Sequence, residues 1–296
     1  MKRSGQATIQ NEVREFWDRH PCESDLSGRD KEDRDYFLEI ERKRYALQPH
    51  IPLILASIDW QGKRVLEVGT GVGTDARRII GAGGIYTGIN VDAGSTDITM
   101  QALQRFSLPG TVQQMDVTAM DFSDSSFDIV YSFGVLHHIP DVSRAMREIR
   151  RVLRPGGEVL MMLYNRSSIN YAIEIRILRK LALRLLTIPG AILVAAALGF
   201  PRYKLQRHLD LFRGAGTMSA EEWLSRNTDG PDNPYSRVYD ESEARTLVDG
   251  FSLRANEVHF FDWRHWGPLG RLLPNALRVW LGRRWGWHRI VRACRS

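Results

Sequence analysis

The chain has 296 residues, 43% of them hydrophobic, with 41 Lys and Arg against 35 Asp and Glu. That apolar content supplies a buried core for one large domain, or a domain with an elaborated cap, and excludes disorder as the default. Cys22 and Cys294 are too few for a disulfide framework and lack metal-ligand spacing, and Met1 to Gln6 lead into polar sequence instead of an apolar signal core, so a cytoplasmic location is expected.

Residues 1–60 are charged and read as a helical cap, with helices over Gln10 to Arg19 and Asp30 to Leu47, while Pro49 and Pro52 punctuate the stretch after the second helix. From Arg64 short apolar runs alternate with amphipathic stretches, the pattern of βαβ units. Strands are expected over Arg64 to Val68, Ile85 to Ile89, Thr111 to Gln114, Phe127 to Ser132 and Glu158 to Leu163. Helices are expected between them over Thr74 to Ile80, Ser95 to Phe106 and Asp141 to Leu153, the last closed by Pro155-Gly156-Gly157. This α/β core occupies 61–164. An insertion at 165–250 carries a basic amphipathic run from Ile173 to Leu186 and an apolar one from Ile188 to Phe200, too short to span a bilayer. Residues 251–296 return to strand character at Ser252 to Phe261 and His288 to Cys294. Eight arginines in 262–296 face the single acid Asp262, a local charge of +7 that suits nucleic acid, an anionic membrane or an acidic substrate.

The loop Glu67-Val68-Gly69-Thr70-Gly71-Val72-Gly73 follows a strand and opens a helix, so its backbone amides can approach a ligand closely. A dinucleotide fingerprint needs its third glycine one place later, where Thr74 stands, and Glu67 puts a carboxylate beside the loop. Both features suit a cationic ligand better than a diphosphate.

Five ordered segments then resemble the class I S-adenosylmethionine-dependent methyltransferase family: Val65 to Gly73, Tyr86 to Asn90, Met115 to Val117, Ser126 to Val130 with Gly134 to Ile139, and Leu153 to Gly157. The resemblance implies a doubly wound, mostly parallel seven-stranded sheet with an antiparallel last strand around Trp287 to Arg292, and S-adenosyl-L-methionine as cofactor. It implies that Glu67, Gly69, Thr70, Gly71 and Gly73 hold the methionine part and that Asp116 and Val117 meet the adenine; Val91 and Ser132 complete the set. Asp116 equally suits a turn cap. Asn90 stands where the family commonly has a ribose-binding acid and is expected to hold the ribose hydroxyls through its amide, while Asp92 reads as a helix-leading loop acid.

His137 and His138 follow the fourth strand at the ligand-binding edge, so either could deprotonate an acceptor or instead fix the loop, and Tyr164 follows the fifth strand as a further candidate. His259, Asp262 and His265 sit at a strand end, which argues against a metal. The insertion reads as a lid over a greasy substrate, a membrane contact, a dimer interface or a packed cap. Tryptophans at 263, 266, 280, 285 and 287 alternate with arginines, a composition for lipid headgroups, anionic ligands or stacked bases. The Ser132-Phe133-Gly134-Val135 segment lacks a base-flipping element, so a small lipophilic or anionic metabolite leads as acceptor. RNA, a non-catalytic cofactor-binding role and a nicotinamide oxidoreductase rank behind it; peripheral membrane contact and homo-oligomerisation stay open.

Overall fold

The computed structural model describes residues 2–31, 33–199, 202–214 and 218–296. Strands β1 (Arg64–Val68), β2 (Ile85–Asn90), β3 (Thr111–Gln114), β4 (Phe127–Phe133), β5 (Leu153–Asn165), β6 (Val238–Tyr239), β7 (Phe251–His259) and β8 (His288–Arg295) form one sheet. Its order is β3-β2-β1-β4-β5-β8-β7, with β6 pairing β5 off that path. Strands β1 to β6 pair in parallel, whereas β8 lies antiparallel between β5 and β7. The expected antiparallel strand is therefore present, and the sheet has eight strands instead of seven.

Helices α4 (Thr74–Gly81), α5 (Ala93–Arg105) and α6 (Val142–Val152) are the crossovers. Val65, Leu66, Val130, Val159, Leu160 and Met161 in β1, β4 and β5 are fully buried, because helices cover both faces. One core joins Ile51 and Trp60 from the N-terminal segment to Val65 and Leu160 in the sheet, Ile175 and Trp223 in the insertion and Ile290 in the last strand. The four sequence segments thus share their interior.

The N-terminal helices are α1 (Lys2–Arg19), α2 (Arg34–Leu47) and α3 (His50–Ala56). The first and third depart from the sequence reading. Helix α1 starts eight residues earlier than Gln10, and α3 is hidden in the sequence by its prolines: Pro49 caps the helix and Pro52 falls in its first turn, where backbone N–H groups have no intrahelical acceptor. Helix α6 stops at Val152 and β5 begins at once, because Pro155 holds Arg154 extended. Strand β7 ends at His259, where Phe260 turns to φ 68° and breaks the ladder.

The insertion carries a π-helical stretch (Asn170–Leu178) running into α7 (Arg179–Leu186), then α8 (Ala191–Ala197), α9 (Arg202–Gly214), α10 (Ala220–Arg226) and, after β6, α11 (Glu241–Leu247). Phe200 of the apolar run lies outside the described residues. Between β7 and β8 run α12 (Gly267–Leu272) and α13 (Asn275–Trp285). The C-terminal arginines do not form one basic face. Arg264 pairs with Asp262, Arg289 bonds Asn256 and Asn165, Arg292 pairs with Glu158, and Arg295 donates to main-chain carbonyls. Arg271, Arg283 and Arg284 lie exposed on the helices between the strands.

Candidate active site

A recess opens at the carboxyl ends of β1, β2 and β4, where an open α/β sheet binds its ligand. Its floor is the glycine loop. Gly69 has φ 78°, and a Cβ there would stand 2.1 Å from Val135 Cγ2, so only glycine fits. Gly71 has φ 55° with only ordinary contact to Cys22, so substitution there strains the backbone and meets no hard obstacle. Gly73 does not border the recess: it caps α4 at φ 74°, and its absent Cβ makes room for Thr99 and Ala102 of α5. Its expected cofactor contact is corrected to helix packing. Ser132 does not border the recess either, and its buried hydroxyl donates at 3.2 Å to the carbonyl of Val68, a lining residue, which corrects it to a support of the lining.

Asn90 lines the recess, yet both ends of its amide are committed to the loop. Its Oδ1 accepts from Thr70 N and its Nδ2 donates to Thr70 Oγ1, each at 2.7 Å. In this geometry it positions the loop while still bordering the recess, where the ribose contact is expected. Asp92 caps α5, accepting from Ser95 N at 2.6 Å, and also borders the recess. Asp116 closes a turn on Thr118 N at 2.7 Å and lines the recess beside Val117 and Val91. Gln10 of α1 donates to Asp116 at 3.2 Å, and Val13 and Trp17 close the recess from above.

Five carboxyl groups, Glu23, Glu67, Asp75, Asp92 and Asp116, line this recess against one guanidinium, Arg44. Arg44 grips Asp75 in bidentate fashion at 2.6 and 2.9 Å, and Tyr45 and Tyr131 also donate to that carboxylate. Glu23 stands 3.0 Å from Arg44 Nε. Burial and then the Asp75 charge lift the Glu67 carboxyl well above the usual range, opposed by the Tyr86 hydroxyl that donates to it at 2.5 Å. Thr74 Oγ1, at the start of α4, is buried with no hydrogen-bond partner among the described residues. A surplus of carboxyls repels a diphosphate and suits a ligand carrying positive charge, while the α4 N-terminus and Thr74 suit that ligand's own carboxylate. These are the features of the sulfonium and amino-acid ends of S-adenosylmethionine, so the residues present fit it.

A second recess adjoins the first, sharing Trp17, Cys22, Glu23, Arg44, Phe133 and Gly134 with it. Its further walls include Met162, Tyr164, Trp287, Asp229 and Arg264. Tyr164, from this recess, and His138, which borders the first, converge on Asp229, a residue that sequence reasoning missed because the insertion delivers it from 65 positions away from Tyr164. Tyr164 donates to both Asp229 oxygens at 2.8 and 3.0 Å, and His138 Nε2 lies 3.4 Å from Oδ2. The Tyr235 carbonyl, 2.8 Å from His138 Nδ1, can only accept, which puts the proton on Nδ1. Burial, with Asp229 adding to it, pushes the Tyr164 hydroxyl well above its ordinary pKa and keeps it a donor. His137 is fully buried, stacks on Tyr164 with ring centroids 3.7 Å apart and borders neither recess. Burial and then His138 hold its pKa well below the usual value, so its expected catalytic role is corrected to packing.

The family model described as a methyltransferase domain matches residues 66–161. These residues are a methyltransferase domain. The match covers about a third of the chain and is a match to that domain alone. The domain is 32% identical over 109 residues to a ubiquinone biosynthesis O-methyltransferase of Pseudomonas syringae pv. tomato, a match that covers 36% of this chain and 46% of that protein. It is 30% identical over 107 residues to phosphoethanolamine N-methyltransferase 2 of Caenorhabditis elegans, covering 36% of this chain and 24% of that one. The chain thus spans less than half the length of these relatives. The fold extends further than the sequence match. Magnesium protoporphyrin IX methyltransferase of Synechocystis PCC 6803, solved with S-adenosylhomocysteine, superposes with TM-score 0.55 at 13% identity, covering 97% of this chain and 100% of that one.

Proposed function

We propose that the protein transfers the methyl group of S-adenosylmethionine to a small lipophilic acceptor seated in the second recess. The observation that supports this reading is the junction of the two recesses at Trp17, Phe133 and Gly134, which would let an acceptor in one meet a cofactor in the other. The bound cofactor supplies an electrophilic methyl on a good leaving group. The protein's work is then alignment and exclusion of water. Aromatic walls at Trp17, Phe133, Tyr164 and Trp287 suit a ring or chain, and the Asp229 carboxylate disfavours an anionic acceptor close by, so the lipophilic half of the expectation is the one we retain.

Within the site, Glu67 and Asp75 face the cationic part of the cofactor, and Asp92 takes the ribose edge that Asn90 leaves while clamping Thr70. His138 borders the first recess, with Nδ1 on the Tyr235 carbonyl and Nε2 turned to Asp229, and is the imidazole we assign to take a proton from an acceptor at the junction. Asp229 stabilises the imidazolium that forms, and Tyr164 orients Asp229. The test is single-turnover transfer of labelled methyl to a cell extract split into organic-soluble and RNA fractions. We expect label in the organic fraction, and a fall of about 100-fold or more for His138→Asn and Asp229→Asn with cofactor affinity unchanged. Label in RNA alone overturns the acceptor class; unaltered rates in both variants remove the proton-accepting role and leave transfer standing. Cofactor binding without transfer to any fraction favours a non-catalytic protein.

A further inference from the structure

The insertion leaves an apolar face that none of the described residues covers. Helix α8, Ala-Ile-Leu-Val-Ala-Ala-Ala, has no polar side chain and no buried residue. Leu193 and Val194 are 58% and 62% exposed, and Leu181, Leu185, Ile188 and Leu198 continue the patch at 49%, 62%, 56% and 68%. Monomeric soluble proteins rarely leave so many large apolar groups contiguous.

The charge around this face is one-sided. Between residues 175 and 209 there are seven Lys and Arg and no acid. Arg176, Lys180 and Arg184 recur every four residues and are exposed, forming a row next to the apolar row of Ile177, Leu181 and Leu185. None of the three has a carboxylate partner among the described residues; Arg176 and Lys180 instead lie over the rings of Tyr171 and Trp223.

We infer that α7 and α8 dock this protein onto an anionic lipid surface, with the apolar face sunk into the headgroup boundary and the basic row on the phosphates. A bilayer span is excluded for α8 by length, since seven residues rise only about 10 Å against a hydrocarbon core of about 30 Å. The stretch Asn170–Leu186 meets Ala191–Ala197 at 116°, and no single described helix is long and apolar enough to cross. Bent at Pro189-Gly190, the pair lies in the interface as amphipathic anchors do. A second copy of the chain is a poorer occupant, because self-association sets the row of Arg176, Lys180 and Arg184 against its own copy, whereas anionic headgroups neutralise it. The inference is independent of the acceptor assigned above.

The test uses the full chain with vesicles of phosphatidylcholine containing about one-third phosphatidylglycerol, against pure phosphatidylcholine, read by co-sedimentation. We expect binding at least about tenfold tighter to the anionic vesicles, lost in about 0.5 M salt. The exposed substitutions Arg176→Glu with Arg184→Glu should weaken it about tenfold, and Leu193→Glu with Val194→Glu should abolish it. Cofactor affinity, unchanged in both variants, reports that they fold. Equal binding to neutral vesicles, or binding indifferent to salt, overturns the inference. So does a dimer in sedimentation velocity that Val194→Glu dissociates, with no vesicle binding, which would make this face an interface between copies.

Discussion

Glu67 is where burial, charge and ligand chemistry meet. A carboxyl whose folded pKa is raised holds its proton in the folded state over a range where the unfolded chain has lost it. Its contribution to stability is therefore present below the ordinary carboxylate range and is lost as pH rises through the raised value. A cationic cofactor favours the ionised form, so binding should release a proton and tighten as pH rises through the same window. Calorimetry in buffers of different ionisation enthalpy should show that release for the native protein and its loss in Glu67→Gln; a release that persists in the variant would assign the proton elsewhere. The glycines separate binding from packing. Gly69→Ala drives a methyl onto Val135 and should remove measurable cofactor binding. Gly73→Ala crowds α5 at φ 74° and should lower Tm by roughly 3–6 °C, the effect of about 1–2 kcal/mol, while leaving cofactor affinity within about threefold. The glycine spacing in the sequence announced the loop but could not say which glycine faces the ligand, because that depends on Val135 and Thr99 arriving from elsewhere. Asn90 taught the same lesson: its position at the strand end was legible, its two bonds to Thr70 were not.

Among elements, the regular βαβ rhythm carried its own boundaries, since strands buried on both faces read as short apolar runs and their helices as amphipathic ones. What the sequence hid were elements that depend on partners. Strand β6 is two residues long and exists only because Tyr164 and Asn165 offer it a ladder. Helix α3 looked like a break because its prolines sit where a helix tolerates them. Helix α1 was recognised as a helix, but its place over the cofactor recess comes from tertiary contacts: Asp18 accepts from Gly94 N at 2.9 Å, Gln10 reaches Asp116, and Trp17 lies edge-on to His138. A ligand beneath this cover should tie it down. Hydrogen exchange with and without S-adenosylhomocysteine should show slower exchange in 8–19 and in the glycine loop, and none of that slowing in α8. Unchanged exchange in 8–19 would place the cofactor's contacts elsewhere.

At the scale of the molecule, the domain that binds cofactor is the most legible part and the surround that selects an acceptor is the least. The core motifs lie close together along 64–163, whereas Asp229, Glu23 and Arg44 become neighbours only after 1–60 and 165–250 fold onto the sheet. The C-terminal charge shows how composition misleads in the other direction: Arg264, Arg289, Arg292 and Arg295 hold the last strands together, so much of an apparently basic tail is internal scaffolding. Cations without a carboxylate partner among the described residues also lie beside α8, at Arg176, Lys180 and Arg184. Function in this molecule depends first on the acidic recess at the carboxyl edge being an S-adenosylmethionine site. Titration calorimetry at about 100 μM protein tests that directly, since this concentration registers a Kd of about 10 μM or somewhat weaker. The expected result is one-to-one binding of S-adenosylmethionine and S-adenosylhomocysteine, with no heat from NAD; heat from NAD and none from either sulfur ligand would contradict it.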